Sequence, residues 1–279
     1  MTTNSDPLYD RAAAEALSRR ETDRRRADAE KFELLTDAVG ACHRLVDIGC
    51  GGGQLLARLR GRVDELWGVD ESPDRLRQTQ AACPSARPVC CRADRLDLPA
   101  DHFDVAVVSQ VLHEVKLFGT EGELHRVLCG IRRVLVPGGR CLLLDHADAG
   151  EGEVGARLPA ALIDRLAEFE RTYRYAAVTH QDLGDGAIRI TRRGLQDFLT
   201  KVWALGTAME PIEMNETHNV FVEPDLVAVV EAAGFTDCDW RPFRDIRADL
   251  ADAGGELIHG APWSRKFLMI AERPAKRDA

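Results

Sequence analysis

No C-x-x-C pair occurs among the eight cysteines, and two of them, Cys90 and Cys91, are adjacent. That spacing argues against a zinc ribbon, a dithiol redox site or a disulfide framework, and buried thiols are the expected use. No stretch approaches the roughly 18 apolar residues of a membrane span. The opening MTTNSDPLYD has neither the basic start nor the apolar middle of a secretory signal, so a cytoplasmic location is expected. Positive charge is not in excess either: 37 Lys and Arg stand against 46 Asp and Glu, a net charge of -9. An acidic surface repels phosphate backbones, which makes nucleic acid a disfavoured partner. The densest basic run, RRETDRRR from Arg19 to Arg26, reads as a solvated helix face. Internal repeats and low-complexity tracts are absent.

What is present is an ordinary globular composition, 45% apolar and 30% charged, over 279 residues. That length suits one large α/β domain with an insertion. Residues 10–39 are rich in Ala, Leu, Arg and Glu without proline and read as helix. Short β-like runs follow at 44–49, 65–70, 88–93, 103–110 and 139–147, several nearly continuous in apolar residues, as strands covered on both faces are. Helices fit between them. GQLLARLRG closes at Gly61, SPDRLRQTQAA opens on Ser72 as N-cap with Pro73 next, and 121–135 carries an apolar stripe. VPGGR reads as the turn into the fifth strand. The alternation predicts a doubly wound, mostly parallel sheet. Near the end, EPDLVAVVEAAGF reads as a helix, and TDCDWRPF and RKFLMIAERP as strands. Between these halves, residues 151–222 show two helical stripes, one at Leu158, Leu162 and Leu166, the other from Leu195 to Trp203.

The loop after the first strand is Asp47-Ile48-Gly49-Cys50-Gly51-Gly52-Gly53. A dinucleotide fingerprint would need glycine where Gln54 stands, and a phosphate loop would need Gly-Lys-Ser/Thr, which is missing. An acid two residues before the first glycine also repels a pyrophosphate but suits a cation. Asp70, twenty-one residues after Gly49, ends the second strand where an acid can take both hydroxyls of a ribose. A ribose-bearing, phosphate-free, positively charged ligand fits these residues.

Together with CRADRLDLPADHFDVAVVSQVLHEV and RVLVPGGR, this pattern resembles the class I S-adenosylmethionine-dependent methyltransferases, in register over 41–150 and again over 220–273. The resemblance implies a seven-stranded Rossmann-like sheet with its last strand antiparallel, and S-adenosylmethionine as cosubstrate. It implies an N-terminal helical cap over 1–40, a cofactor-binding core over 41–150 and 220–279, and a helical lid for substrate over 151–219. Carried over, Gly49, Gly51 and Gly53 line the methionine and ribose part, with Asp47 near the sulfonium and amino group. Asp70, with Glu71 beside it, takes the ribose. Asp94 meets the adenine amino group between Ala93 and Arg95, and Ser109 and Gln110 flank the methionine end.

Methyl transfer from a sulfonium is an in-line displacement, so the protein chiefly aligns the nucleophile. A base is needed only where the nucleophile must lose a proton. The candidate bases are His113, His146 and His218. Candidate acceptor contacts are His113 and Glu114 after the fourth strand, then Tyr173, Tyr175 and His180. A polar cluster at Glu210, Glu213, Glu216 and His218 adds to these. Glu213 and His218 are five apart, not at the i, i+4 spacing that aligns two ligands on a helix face, so no metal is expected. A lid of that size and the acidic charge favour a small-molecule methyl acceptor, methylated on O, N or C. Competing readings are a methyltransferase of RNA or protein, which would want a basic groove, and a non-catalytic cofactor-binding partner, which would tolerate damaged motifs. A nicotinamide dehydrogenase fails at Gln54. The N-terminal helix suits a lid and a homodimer contact equally.

Overall fold

The computed structural model describes residues 21–275, with side chains from residue 29 on. The expected helix start at residue 10 and the basic run Arg19 to Arg26 lie outside the described residues, apart from the helix backbone from Glu21. The elements are α1 (Glu21–Val39), β1 (Arg44–Ile48), α2 (Gln54–Leu59), β2 (Glu65–Asp70), α3 (Pro73–Ala82), β3 (Arg87–Cys90), β4 (Phe103–Ser109), α4 (Leu112–Phe118), α5 (Glu123–Val134) and β5 (Leu135–His146). They continue with β6 (Glu153–Arg157), α6 (Ala160–Thr172), β7 (His180–Gly184), β8 (Ala187–Thr191), α7 (Arg192–Lys201), α8 (Glu210–Glu213), α9 (Glu223–Ala232), β9 (Thr236–Asp245), α10 (Ile246–Asp252), β10 (Glu256–His259) and β11 (Ser264–Glu272). Among the described residues no helix is long and apolar enough to cross a membrane.

The described residues fall into two compact units, one of residues 25–145, 222–241 and 268–275, the other of 21–24, 146–221 and 242–267. The first carries the seven-stranded sheet, in the order β3-β2-β1-β4-β5-β11-β9. Strands β1 to β5 pair in parallel and the last strand runs antiparallel, as expected. Strand order reverses between β1 and β4, so the loops after β1 and β4 open at the switch point where such sheets bind ligands. The apolar runs are covered on both faces: Leu45, Val46, Ile48 and residues 105–108 of β4 are almost fully buried. Local signals hold. Ser72 accepts the Arg75 N–H at 3.3 Å with Pro73 following, and Gly61 and Gly234 take the left-handed conformation just past α2 and α9. VPGGR, however, is not a turn before β5 but its opening residues, where a register shift against β4 absorbs the glycines.

The second unit corrects the expectation of a purely helical insertion. It contains a four-stranded sheet, β10-β6-β8-β7, antiparallel throughout. Asp185 and Gly186 both have positive φ, 52° and 73°, between paired Gly184 and Ala187. This is the two-residue Asp-Gly hairpin whose backbone twist matches the strands it joins. The unit also takes in 242–267, expected in the core: α10 and β10 lie here, with β10 pairing with β6. The apolar stripes do pack as core. Leu166, Phe169, Leu195 and Phe198 are fully buried, and the Phe169 ring stacks on Tyr173 at 4.7 Å and meets Phe198 edge-on at 5.6 Å.

A charged group is threaded through this apolar core. Lys201, three residues beyond Phe198 and on the same helix face, is 0% exposed. Its Nζ donates to Glu213 Oε2 at 3.0 Å and to Glu216 Oε1 at 3.3 Å. Burial alone would pull the ammonium's pKa down, but Glu213, Glu216 and Asp197 together outweigh it and leave the pKa raised. Removing the cation strands two buried carboxylates, so Lys201→Ala is expected to destabilise the protein by about 3–5 kcal/mol. Combining Lys201→Met with Glu213→Gln and Glu216→Gln, which neutralises the whole cluster, should recover most of that loss. Urea unfolding of the two variants checks this, and equal stability of Lys201→Ala and wild type would contradict it.

Candidate functional site

The glycine loop is shaped by backbone constraints before any ligand is considered. Gly49, Gly51 and Gly53 have φ of 74°, 53° and 76°. A Cβ on Gly49 would overlap the Val111 Cγ2 methyl, and one on Gly53 would come 2.8 Å from Thr79 Cα. The third glycine therefore serves helix packing as much as a ligand. The Gly49 and Cys50 N–H groups both donate to Val69 O, at 2.8 and 2.9 Å, and the Thr79 hydroxyl donates to Gly51 O at 2.7 Å. Asp70 locks the loop from β2: its Oδ2 accepts the Gly51 N–H at 3.0 Å and its Oδ1 the Ser72 N–H at 2.9 Å. Each oxygen keeps a second acceptor direction, as a ribose diol would require.

Asp47, near the end of β1, is 3% exposed. Burial pushes its pKa up to about 7; Lys31 pulls it down and Asp70 adds to the rise. A carboxylate kept this dry favours a positive charge beside it. Lys31 of α1 donates to Gln110 Oε1 at 3.1 Å, which ties the helix to the loop after β4. Gln110 itself has φ of 58°, a left-handed conformation that is strained for a non-glycine residue, and its N–H donates to Leu144 O at 2.7 Å. The Ser109 hydroxyl is buried without a hydrogen-bond partner among the described residues. Open glycine backbone, a dry carboxylate and an unsatisfied hydroxyl therefore fit a small cationic ligand carrying its own donors.

Past β2 and β3, three carboxylates gather on Arg92. The guanidinium donates to Asp94 Oδ1 at 2.9 Å and Glu123 Oε1 at 3.0 Å, and lies 3.5 Å from Glu71 Oε2. Glu71 is pushed up by burial against the pull of Arg92. Ala93 is half-buried, and Arg95 is exposed with its Nε 4.0 Å from Asp94 Oδ2. At the ends of β4 and β5, His113 is held by a carboxylate that the sequence reading passed over. Asp145 Oδ2 accepts the His113 backbone N–H at 3.1 Å and Oδ1 lies 2.8 Å from Nδ1, both residues being almost fully buried. Glu114 follows in the first turn of α4.

The remaining candidates lie in the second unit. Tyr173, expected as an acceptor contact, is 5% exposed and donates its hydroxyl to Asp197 Oδ2 at 2.6 Å, so it is part of the core. Burial raises its pKa, as does Asp197. Tyr175 is half exposed, and His180 Nδ1 lies 2.7 Å from Glu170 Oε1. Glu210 accepts the Gly206 N–H, a loop role. The ligand atoms of Glu213, Glu216 and His218 lie within 4.8 Å of one another, close enough to hold a metal, although their spacing in sequence argued otherwise. The Lys201 ammonium already sits on both carboxylates. His146 stacks on His218, ring centroids 4.0 Å apart and 5° from parallel.

A family model described as a methyltransferase domain matches residues 46–143. Over 108 residues the chain is 32% identical to an uncharacterized methyltransferase of Synechocystis, covering 39% of this chain and 49% of that one. Over 125 residues it is 30% identical to the ubiquinone/menaquinone biosynthesis C-methyltransferase UbiE of Cupriavidus necator, 42% of this chain and 48% of that protein. The chain thus spans about half the length of these curated relatives. Its fold is similar to the crystal structure of a Thermotoga maritima S-adenosylmethionine-dependent methyltransferase, described as a possible histamine N-methyltransferase. The TM-score is 0.55 at 14% identity, over 95% of this chain and 98% of that one. An S-adenosylmethionine-dependent methyltransferase of Mesorhizobium loti gives 0.52 at 20% identity, over 84% and 92%.

The loop geometry separates two glycines that look alike in sequence. Gly49→Ala combines left-handed strain with a methyl clash and should cost well over about 1 kcal/mol, whereas Gly51→Ala, with its nearest neighbour 3.6 Å away, carries the strain alone. Equal unfolding midpoints for the two variants would contradict the assigned packing. Asp47 makes a prediction about pH. Its folded pKa near 7 exceeds the ordinary 3.8, so between those values the native state binds the extra proton. Stability from this group is then highest at acid pH and falls as pH rises toward 7, by an amount on the order of 4 kcal/mol. Asp47→Asn should remove that decline, and unfolding curves at about pH 5 and 8 measure it.

Proposed function

We propose that this chain, which carries a class I S-adenosylmethionine-dependent methyltransferase domain, moves a methyl group to a small metabolite whose attacking atom must lose a proton. The observation that carries the reading is the glycine loop bracketed by the buried Asp47 and the loop-locking Asp70, in a chain without a complete phosphate-binding motif. When bound, S-adenosylmethionine supplies a methyl group on a positively charged sulfur. Toward it, Gly49, Gly51 and Gly53 offer close backbone approach, and Asp47 in its ionised form offsets the positive charge. The free acceptor directions of Asp70 suit the ribose hydroxyls, with Glu71 alongside. Asp94 suits the adenine amino group, with Ala93 and Arg95 beside the ring, and Ser109 and Gln110 serve the methionine end.

Of the three histidines considered as bases, we assign the role to His113. A carboxylate on Nδ1 holds that nitrogen protonated, which leaves Nε2 as the acceptor of a proton and stabilises the imidazolium that results. Burial of the pair fixes the ring's orientation, as alignment requires. The UbiE relatives are named for C-methylation in quinone biosynthesis. The same chemistry here would act on a ring carbon made nucleophilic when its neighbouring hydroxyl gives up a proton, which is the task assigned to His113. Acceptor recognition is proposed for the second unit, with Tyr175, His180, His146 and His218 as its candidate contacts.

The test is methyl transfer to a panel of phenols, hydroquinones and amines. Transfer to a hydroxylated ring should fall by about 10²- to 10⁴-fold in His113→Ala. Asp145→Asn should lower kcat and shift the ascending limb of the pH–rate profile, since it loses the fixed tautomer. Full turnover by both variants, or transfer to amines alone, would count against the assignment.

A further inference from the structure

Of the residues that converge at Arg92, Glu71 and Asp94 were read from the sequence, whereas Arg92 itself and Glu123 were not. Glu71 follows β2, Asp94 follows β3, and Glu123 opens α5, yet all three carboxylates lie within 3.5 Å of one guanidinium. Glu123 is itself pinned, its Oε2 accepting the Thr120 N–H at 2.8 Å and the Thr120 hydroxyl at 3.0 Å. The anchor therefore runs from α5 through Arg92 to the two acids at the carboxyl ends of β2 and β3. A cavity of about 530 Å³ opens beside it, lined by Arg92, Asp94, Arg95, Thr120, Glu123 and Arg126. The Arg92 side chain is 53% exposed. Ion pairs that wet contribute little to stability, so the physical consequence of this clamp is geometric. It takes one oxygen of Asp94 and thereby sets the direction of the other, which lies 4.0 Å from Arg95.

We infer that Arg92 is the residue that gives this site its selectivity for the nucleobase: a positioning residue that holds Asp94 as an oriented acceptor. The inference rests on the reading of Asp94 as the partner of the adenine amino group. A carboxylate fixed in this way accepts from an exocyclic amine but opposes the lone pairs of a 6-oxo group. A site built around one donor–acceptor pair rejects the analogue that cannot complete it. Freed from Arg92, Asp94 can rotate, and discrimination falls. Arg92 reaches its three carboxylates from three different nitrogens spread over a planar fork, and the single ammonium of lysine cannot span them, so lysine is a poor substitute.

Binding of S-adenosylhomocysteine and of its 6-oxo analogue, S-inosylhomocysteine, by titration calorimetry separates the possibilities. Wild type should prefer the adenine compound by at least about 100-fold. Asp94→Asn, which can donate, should shift preference toward the 6-oxo compound. Arg92→Ala should cut the wild-type preference by roughly 10-fold or more, and Arg92→Lys should restore only part of it. A merely structural residue would weaken both ligands equally and leave the ratio alone. If wild type and Asp94→Asn behave as stated but Arg92→Ala keeps the full preference, the role of Arg92 is overturned while the adenine reading stands. If wild type shows no preference and Asp94→Asn changes nothing, the adenine reading fails and the inference with it.

Discussion

A carboxylate that is almost fully buried at the end of the first strand constrains the rest of this site. Asp47 cannot be hydrated where it lies, and burial pushes its titration up to about 7. A group in that position is either neutral or answered by a nearby cation. Lys31 of α1 supplies part of that answer, and its bond to Gln110 brings α1, the β1 loop and the β4 loop to one place. The glycines then follow from space: with Val111 against Gly49 and Thr79 against Gly53, only bare backbone fits. The same crowding keeps this stretch as bare backbone, and the dry acid beside it favours positive charge.

The two units handle buried charge in different ways. In the first, the acids sit at strand ends and keep acceptor directions to spare, which is how a binding surface is built. In the second, the Lys201 ammonium is shared between Glu213 and Glu216, while Asp197 accepts from Tyr173, Thr217 and the His218 backbone N–H. That network is nearly saturated, and it explains why Glu213 and Glu216 stand so close in sequence to His218. They fix the chain around α7 and α8. Gln196 does the same for neighbouring segments, donating to Ala147 O and His218 O and accepting from the Trp263 indole N–H.

How much of this could be read from the chain alone depended on how local the cause was. The glycine loop, the place of Asp70 at the end of β2, the Ser72 cap and the alternation of strands and helices were legible because each is set by a turn, a cap or a periodicity within a few residues. The four-stranded sheet was not, although Asp185-Gly186 between two alternating runs was a usable hairpin signal; the stronger leucine stripes on either side drew the whole segment into helix. Lys201 also left a trace, as a charged residue at helical spacing from Phe198 with an acid, Asp197, four residues before it. The remaining misses depend on contacts that no local pattern encodes. Asp145 meets His113 across 32 residues, Arg92 meets Glu123 across 31, and Lys31 meets Gln110 across 79. In β5, an acid closing a run of three leucines was the only hint of Asp145.

The central claim is that the loop after β1 holds a cationic, phosphate-free nucleoside. Titration calorimetry of the purified protein at about pH 8, where Asp47 is ionised, against S-adenosylmethionine, S-adenosylhomocysteine and NAD tests it most directly. The account predicts micromolar binding of the first two and no heat from NAD. Binding of NAD alone, or of none of the three, would contradict it.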